Sequence, residues 1–381
     1  QHPSEGQKLV AEVLDIPMGM VTVDVRRMGG AFGGKETNAN QWACIAALLA
    51  DKTQRPVKLR LARADDMTAT GKRHPFLSRY EVGFDKDGQI LGLDMELYGD
   101  CGMSPDLSDA IVDRAMFHAD NAYYLPAAKI CGHRVKTNTV SHTAFRGFGG
   151  PQGILAIENI IEQIATATGL DPLAVRRRNL YRAAGGRDTT HYGQQLEQHL
   201  IDPLITRLEQ TSHYHARRQA IKAFNQDSHI LKRGLALTPV KFGISFTVQH
   251  LNQAGALLHV YTDGSVQLNH GGTEMGQGLY TKVAQIVANE LQIGLERISC
   301  TSTRTDKVPN TSPTAASSGT DLNGMAARDA AQKIKSRLLA CAAQHFDVEI
   351  DDVHFTDGLI RVAQQSLTFT EMVQLAYQNR V

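Results

Sequence analysis

The spacing of apolar positions changes along the chain, and each change predicts an element. Val21-Thr22-Val23-Asp24-Val25 alternates as a strand does. From Thr37 to Leu49, Trp42, Ile45, Ala46 and Leu49 recur at helical spacing. Pro56 to Leu61 then reads as a strand, and Arg79 to Phe84 with Ile90 to Leu97 predicts a hairpin turning at Asp87-Gly88. Helices follow over Ser108 to Phe117 and Gln152 to Thr168, the second with Pro151 at its first turn and Gly169 at its end. Asp171-Pro172 opens another helix that runs into Arg176-Arg177-Arg178.

Residues 185–232 are polar, with a basic helix over His213 to Asn225 and weak strand signal; their charge reads first as a solvated face. Apolar strand patterns resume at Gly234 to Val240 and Phe242 to Val248. A second hairpin is expected over Ala254 to Tyr261 and Ser265 to His270, turning at Asp263-Gly264. Helix Leu279 to Leu291, strand Ile298 to Ser302 and a helix from about Asn323 to Ala342 complete the pattern. Strand, loop and helix recur in both halves, so the expected fold class is α+β, two mixed α/β domains. The expected division is 1–205 and 233–381, with 206–232 as a helical connector.

Three glycine-rich turns punctuate the pattern, each between apolar segments: Met28-Gly29-Gly30-Ala31-Phe32-Gly33-Gly34-Lys35-Glu36, Ala144-Phe145-Arg146-Gly147-Phe148-Gly149-Gly150-Pro151, and Gly271-Gly272-Thr273-Glu274-Met275-Gly276-Gln277-Gly278. A fourth, the small-residue run Ser312 to Thr320, precedes the last of those helices. Helix N-termini opened by such turns suit anions, and four of them predict one large, extended anionic ligand. Neither a Rossmann fingerprint nor a P-loop is present, which argues against a mononucleotide-binding domain. Each turn read singly is merely a tight connection.

Glu36 leaves the first turn where a carboxylate can hydrogen-bond a ligand or move a proton, or simply favour the helix dipole. Arg146 can present a fixed cation, and its flanking aromatics predict that it is not fully exposed. Phe148, Phe242 and Phe246 can stack on a planar ligand, although isolated aromatics are more often core.

Bulk properties remove several function classes. The 381 residues suffice for two domains, and a net charge of +1 gives no electrostatic case for nucleic acid or an anionic membrane. No apolar run approaches the ~18 residues of a membrane span. Five scattered cysteines without a Cys-x-x-Cys pair suggest neither a disulfide framework nor a zinc or iron–sulfur site, so a reducing cytoplasm is expected.

The turns carry a specific resemblance. Arg27 to Glu36, Thr143 to Gln152, Lys241 to Thr247, Gly271 to Gly278 and Thr311 to Ala316 resemble the molybdenum-binding part of the xanthine dehydrogenase and aldehyde oxidase family. Arg73-His74-Pro75-Phe76 and Leu251 to Ala256 match as well, so the resemblance covers nearly the whole chain. It implies two domains whose glycine-rich loops converge on a molybdopterin between them, either plain or as the cytosine dinucleotide. It also implies hydroxylation of an electron-poor ring carbon, with electrons leaving through iron–sulfur clusters and FAD, held on other segments or subunits, to NAD. Residue by residue, Gln1, Phe32, Gly33, Arg146, Gln277, Ala315 and Ala316 match cofactor-binding positions. Of these, Gln1, Phe32, Arg146 and Ala316 match positions near molybdenum without ligating it. Glu36 and Arg114 match the catalytic pair that orients a purine; Phe148 and Phe246 match the rings that sandwich it, with Thr247 a substrate contact and Phe242 a pocket wall.

The family's general-base glutamate lies in a Gly-Glu-Pro context that does not occur here. The chain therefore reads as an internal piece, expected to be inactive alone. The expected substrate is hypoxanthine or xanthine, because an aldehyde pocket has little need for Glu36 with Arg114. An aldehyde oxidase or a non-catalytic scaffold of the same fold are the alternatives. A dimer of the catalytic unit is expected in the complete enzyme.

Overall fold

A computed structural model describes residues 1–381. The first strand-like stretch shows why the chain folds out of order. Only β1 (Asp24–Val25) of the Val21 to Val25 run is strand, and its antiparallel partner is β8 (Thr303–Arg304), far along the sequence. Val23 reinforces the join in both directions, donating its N–H to Thr305 Oγ1 and accepting from Thr305 N. Met28 and Gly30 then donate to the carbonyls of Glu274 and Met275. By packing, therefore, residues 1–69 form one unit with 244–381, and 70–243 form the other. This is a different division from the segments 1–205, 206–232 and 233–381.

In the first unit, α1 (Pro3–Leu14) packs on α2 (Asn38–Thr53), and α3 (Arg63–Ala69) ends the N-terminal part. Pro56 to Leu61 forms no strand.

The second unit is built on the expected hairpin, β2 (Phe76–Phe84) and β3 (Ile90–Gly102), to which β4 (Ala128–Lys136) adds in parallel. Between them in sequence lies α4 (Ser108–Phe117); α5 (Gly150–Thr168) and α6 (Pro172–Asn179) follow. The apolar stripe of α5, Ile157, Ile160, Ile161 and Ile164, is fully buried against Met95, Leu97 and Tyr123. Each such isoleucine contributes about 1.5–3 kcal/mol by burial. Asp171 caps α6 by accepting from Leu173 N, as its place before Pro172 predicts. The polar stretch that follows carries α7 (Ile201–Thr211) and α8 (Tyr214–Asp227), the latter being the expected basic helix.

The first unit resumes with the second hairpin, β5 (Ala256–Val260) and β6 (Val266–His270), then α9 (Leu279–Leu291) and β7 (Ile298–Cys300), which joins β6 in parallel. After β8 comes α10 (Gly319–Phe346), longer than expected at both ends; Gly324, Ala327 and Ala331 pack it on α9. A meander of β9 (Val353–Thr356), β10 (Leu359–Val362) and β11 (Gln365–Thr368) closes against α11 (Phe369–Gln378). Thr368 and Glu371 form a reciprocal capping box at the start of α11.

The two strands expected over Gly234 to Val240 and Phe242 to Val248 are absent. Side chains take the place of a neighbouring strand there. Asn121 donates to Pro239 O and accepts from Lys241 N. Arg114 donates to Gly243 O at 3.1 Å, while Gly243 N donates to His118. Asn252, in the first unit, accepts from Phe246 N and donates to Phe246 O, both at 2.9 Å. These backbone polar groups are satisfied without a ladder, so the apolar pattern of a strand appears without its hydrogen bonding.

Candidate functional site

In the first unit two of the four loops meet at the Gln1 side chain, and a third joins them through Thr314. Its Oε1 accepts from Gly33 N at 3.0 Å and Lys35 N at 3.3 Å, while its Nε2 donates to Thr314 O at 3.0 Å. Thr314 Oγ1 in turn accepts from Thr273 N at 2.8 Å, which ties the Ser312 to Thr320 run to the Gly271 loop. Ser4 Oγ accepts from Thr311 N and closes the arrangement from below. A primary amide suits this position because it accepts at one end and donates two protons at the other. Gln1, Gly33 and the Thr314-Ala315-Ala316 segment are thus brought together.

Two residues of this group hold strained backbone. Phe32 and Ala316 have φ of 55° and 56°, left-handed values that cost a side-chain-bearing residue roughly 1–2 kcal/mol. Ala316 O accepts from Ser245 N, next to Phe246 in the chain. Phe32 turns its ring outward, 58% exposed. Glu36 is buried at the exit of the loop. Phe246 is half-buried and Thr247 exposed.

The Gly271 loop departs from the anion reading. Glu274 folds back over the N-terminus of α9, its carboxylate accepting from Gly276, Gly278 and Tyr280 N–H groups at 2.8, 3.1 and 3.0 Å. Burial pushes its pKa up, but these N–H donors outweigh it and hold the carboxyl below its usual range. The donors that would have met an external anion are occupied by the protein's own. Gln277, exposed, staples the same loop by accepting from Met275 N and donating to Thr273 O.

Deeper in this loop, polar side chains lack partners. Thr273 Oγ1 and Asn323 Oδ1 are both buried and unpaired. His270 accepts from Gly272 N through Nδ1, which assigns its proton to Nε2, and that atom too is unpaired. Burial drives the His270 pKa down to about 4, so the ring is neutral at physiological pH.

The Phe145 loop in the second unit is held by contact and not by a central amide. A Cβ on Gly149 would lie 1.9 Å from Ile111 O, and one on Gly153 2.2 Å from Ala115 O, so α5 meets the backbone of α4 directly. A Cβ on Gly150 would lie 2.4 Å from the Phe242 ring. Phe148 repeats the geometry of Phe32, with φ 52° followed by Gly149 at 94°, against 55° and 94° for Phe32-Gly33. Arg146 is exposed. Phe145 turns outward to stack on Arg73, 4.7 Å from ring centre to guanidinium, and Arg73 donates to Arg146 O.

This packing sets Arg114, on α4 and only 6% exposed. Its guanidinium lies 5.6 Å from the centre of the Phe242 ring and donates to Gly243 O. Burial lowers its pKa from the ordinary arginine value without removing its charge at physiological pH. Next to it, His118 accepts from Gly243 N at 3.2 Å through Nε2, with Nδ1 2.9 Å from Arg114 O and its ring 4.6 Å from that of Phe242. Lys241 is anchored separately, on the fully buried Asp120 at 2.6 Å, which also accepts from Tyr181 OH.

Sequence reasoning missed Glu274, His118, Asn121 and Asn252. Glu274 and Asn252 stood inside motifs already singled out, and their spacing to the groups they pair with gave no sign of it.

The comparisons with known proteins are specific. Models of molybdopterin cofactor-binding domains match residues 1–180 and 207–381. The chain belongs to this molybdopterin cofactor-binding family, and its sequence relatives include xanthine dehydrogenases. It is 52% identical over 338 residues to the xanthine dehydrogenase of Drosophila subobscura, covering 89% of this chain and 25% of that one. Over all 381 residues it is 46% identical to the xanthine dehydrogenase of Calliphora vicina, covering 26% of it. The chain thus spans about a quarter of the length of these curated relatives. Its fold is shared with quinoline 2-oxidoreductase from Pseudomonas putida 86, at a TM-score of 0.85 and 24% identity over 100% of this chain and 50% of that one.

Proposed function

We propose that the chain is the cofactor-cradling and substrate-binding segment of a molybdenum hydroxylase that oxidises hypoxanthine and xanthine toward urate. The kinship to xanthine dehydrogenases supports the reaction class. The observation that carries the purine reading is Arg114: a charged guanidinium held almost wholly buried beside an aromatic ring is suited to a heterocycle on which negative charge develops. An aldehyde gives it nothing comparable to stabilise. Partners proposed with this function are iron–sulfur and FAD segments or subunits and a second catalytic unit, in the cytoplasm; no helix of the chain is long and apolar enough to cross a membrane.

The residues of the first unit fit a molybdopterin. Buried, unpaired Thr273 Oγ1 and Asn323 Oδ1, with the Gln1 amide and the Gly33 turn, supply neutral donors and acceptors suited to a pterin ring and its phosphate ester. Gln1, Phe32, Gly33, Gln277, Ala315 and Ala316, with Arg146 from the second unit, are proposed to hold it, in plain or cytosine dinucleotide form. When bound, the group supplies the oxidising centre. The chain's own residues bind and orient: Glu36 pairs with polar edges of the purine, and Arg114 faces negative charge developing on the ring. Phe148, Phe242, Phe246 and Thr247 fix the plane and edge of the ring. The segments 1–205 and 233–381, joined by 206–232, are the proposed limits of the two cofactor-binding domains.

Metal and pterin analysis of the complete protein, matured in a host that makes the cofactor, tests this. Molybdenum and pterin are expected, with xanthine turnover falling about 10²–10³-fold in Glu36→Ala or Arg114→Ala. A matured protein without either component, or indifferent to both substitutions, overturns the proposal and leaves a scaffold of the same fold.

A further inference from the structure

Arg114 and His118 stand one turn apart on the end of α4, and together they read both polar groups of a single residue, Gly243. Arg114 donates to the Gly243 carbonyl and the Gly243 N–H donates to His118 Nε2. The second nitrogen of His118 donates back to Arg114 O, which assigns the neutral Nδ1–H form. Its ring also packs at 4.6 Å on Phe242, the residue whose ring lies beside the Arg114 guanidinium. Gly243 and Phe242 thus both bear on the Arg114 head group, and His118 touches both.

We infer that His118 is a positioning residue: it fixes the Phe242-Gly243 strip and through it the direction of the Arg114 guanidinium. The residue touches no substrate in this scheme. This role rests on the proposed role of Arg114, because positioning matters only if that cation meets the heterocycle. Two features separate this from ordinary packing. The strip has no neighbouring strand, so the Gly243 N–H has no backbone partner to fall back on. The histidine is 7% exposed, so water cannot readily replace the lost acceptor. A displaced guanidinium loses alignment, and misplacement of about 1 Å costs roughly 10²-fold in a positioned reaction.

The test uses the complete, cofactor-loaded enzyme with two substrates, a purine and an aromatic aldehyde that has no ring charge for Arg114 to face. His118→Phe keeps a ring on Phe242 and deletes both hydrogen bonds; His118→Gln returns an acceptor. In His118→Phe, purine kcat/KM is expected to fall about 10–10²-fold with aldehyde turnover changed less than about threefold. Calorimetric affinity for a purine that cannot be hydroxylated falls alongside, and His118→Gln recovers part of both losses. Parallel losses for purine and aldehyde in both variants reduce His118 to a structural residue and overturn the inference. So does an unchanged purine rate in His118→Phe when Arg114→Ala has lowered it. Should Arg114→Ala itself leave the purine rate unchanged, the purine reading falls, and this inference with it.

Discussion

The Phe32 and Phe148 loops have nearly the same backbone and are held by opposite means. In each, a phenylalanine in the left-handed region precedes a glycine at φ 94°. The Phe32 loop is held by hydrogen bonds, chiefly to the Gln1 amide, which collects two of its N–H groups, and to the carbonyls of Glu274 and Met275. The Phe148 loop is pressed onto α4 through glycines that leave no room for a methyl group. The same turn can thus be enforced by hydrogen bonding or by contact, and the two should fail differently.

The largest effect is expected at the contact-held loop. Gly149→Ala meets both a carbonyl at 1.9 Å and a left-handed backbone, so unfolding stability should fall by roughly 3 kcal/mol or more, read as denaturant midpoint. The hydrogen-bonded loop should be gentler. Gln1→Ala leaves two N–H groups and the Thr314 carbonyl without their partner, a loss of about 1–3 kcal/mol by the same measurement. If Gln1→Ala costs as much as Gly149→Ala, the distinction between the two loops is wrong.

A third change probes the loop closed by its own carboxylate. Because the folded-state pKa of Glu274 lies below the ordinary glutamate value, its contribution is full above about pH 4.3 and is lost as pH falls through the lower folded value. Glu274→Gln should therefore lower stability at neutral pH and flatten the acid side of the stability profile, followed by thermal unfolding between pH 3 and 7. An unchanged acid limb would show that Glu274 does not carry that linkage.

The smallest effect is expected from strain alone. Asparagine tolerates the left-handed region better than phenylalanine, so Phe32→Asn should gain somewhat under about 1 kcal/mol, its ring being mostly exposed already. Phe148→Asn should show no such gain, since that ring is half-buried.

Much of this fold was legible in the sequence. Helix α9 matched its expected ends because Val283 and Val287 mark one buried stripe and Gly278 stops the chain before it. Both hairpins were readable from an Asp-Gly between alternating runs. β4 gave no signal, since its Lys129, Arg134, Lys136 and Gly132 suggest a loop, and only the neighbouring β3 makes it a strand. The site was legible in part. The glycine-rich motifs identified which loops matter, but not that Glu274 would occupy the N–H groups of one. Nor could they show that Asn121, His118 and Asn252 would substitute for a strand. Those pairings span more than a hundred residues for Asn121 and His118, and no local pattern encodes them.

The join between Gln1 and Thr314 also has a consequence in time. The two residues are 313 positions apart, and the compact unit Thr70–Gly243 lies between them in sequence. At about 5–20 residues per second of synthesis, Gln1 waits roughly 15–60 s on the ribosome before its partner exists. During that wait the Phe32 loop lacks both its pairing strand and its fourth-loop anchor, while the intervening unit can already be complete. The join can close only after the segment carrying Thr314 has been made, so the stretch around Gln1 is where a folding chaperone has the most to hold.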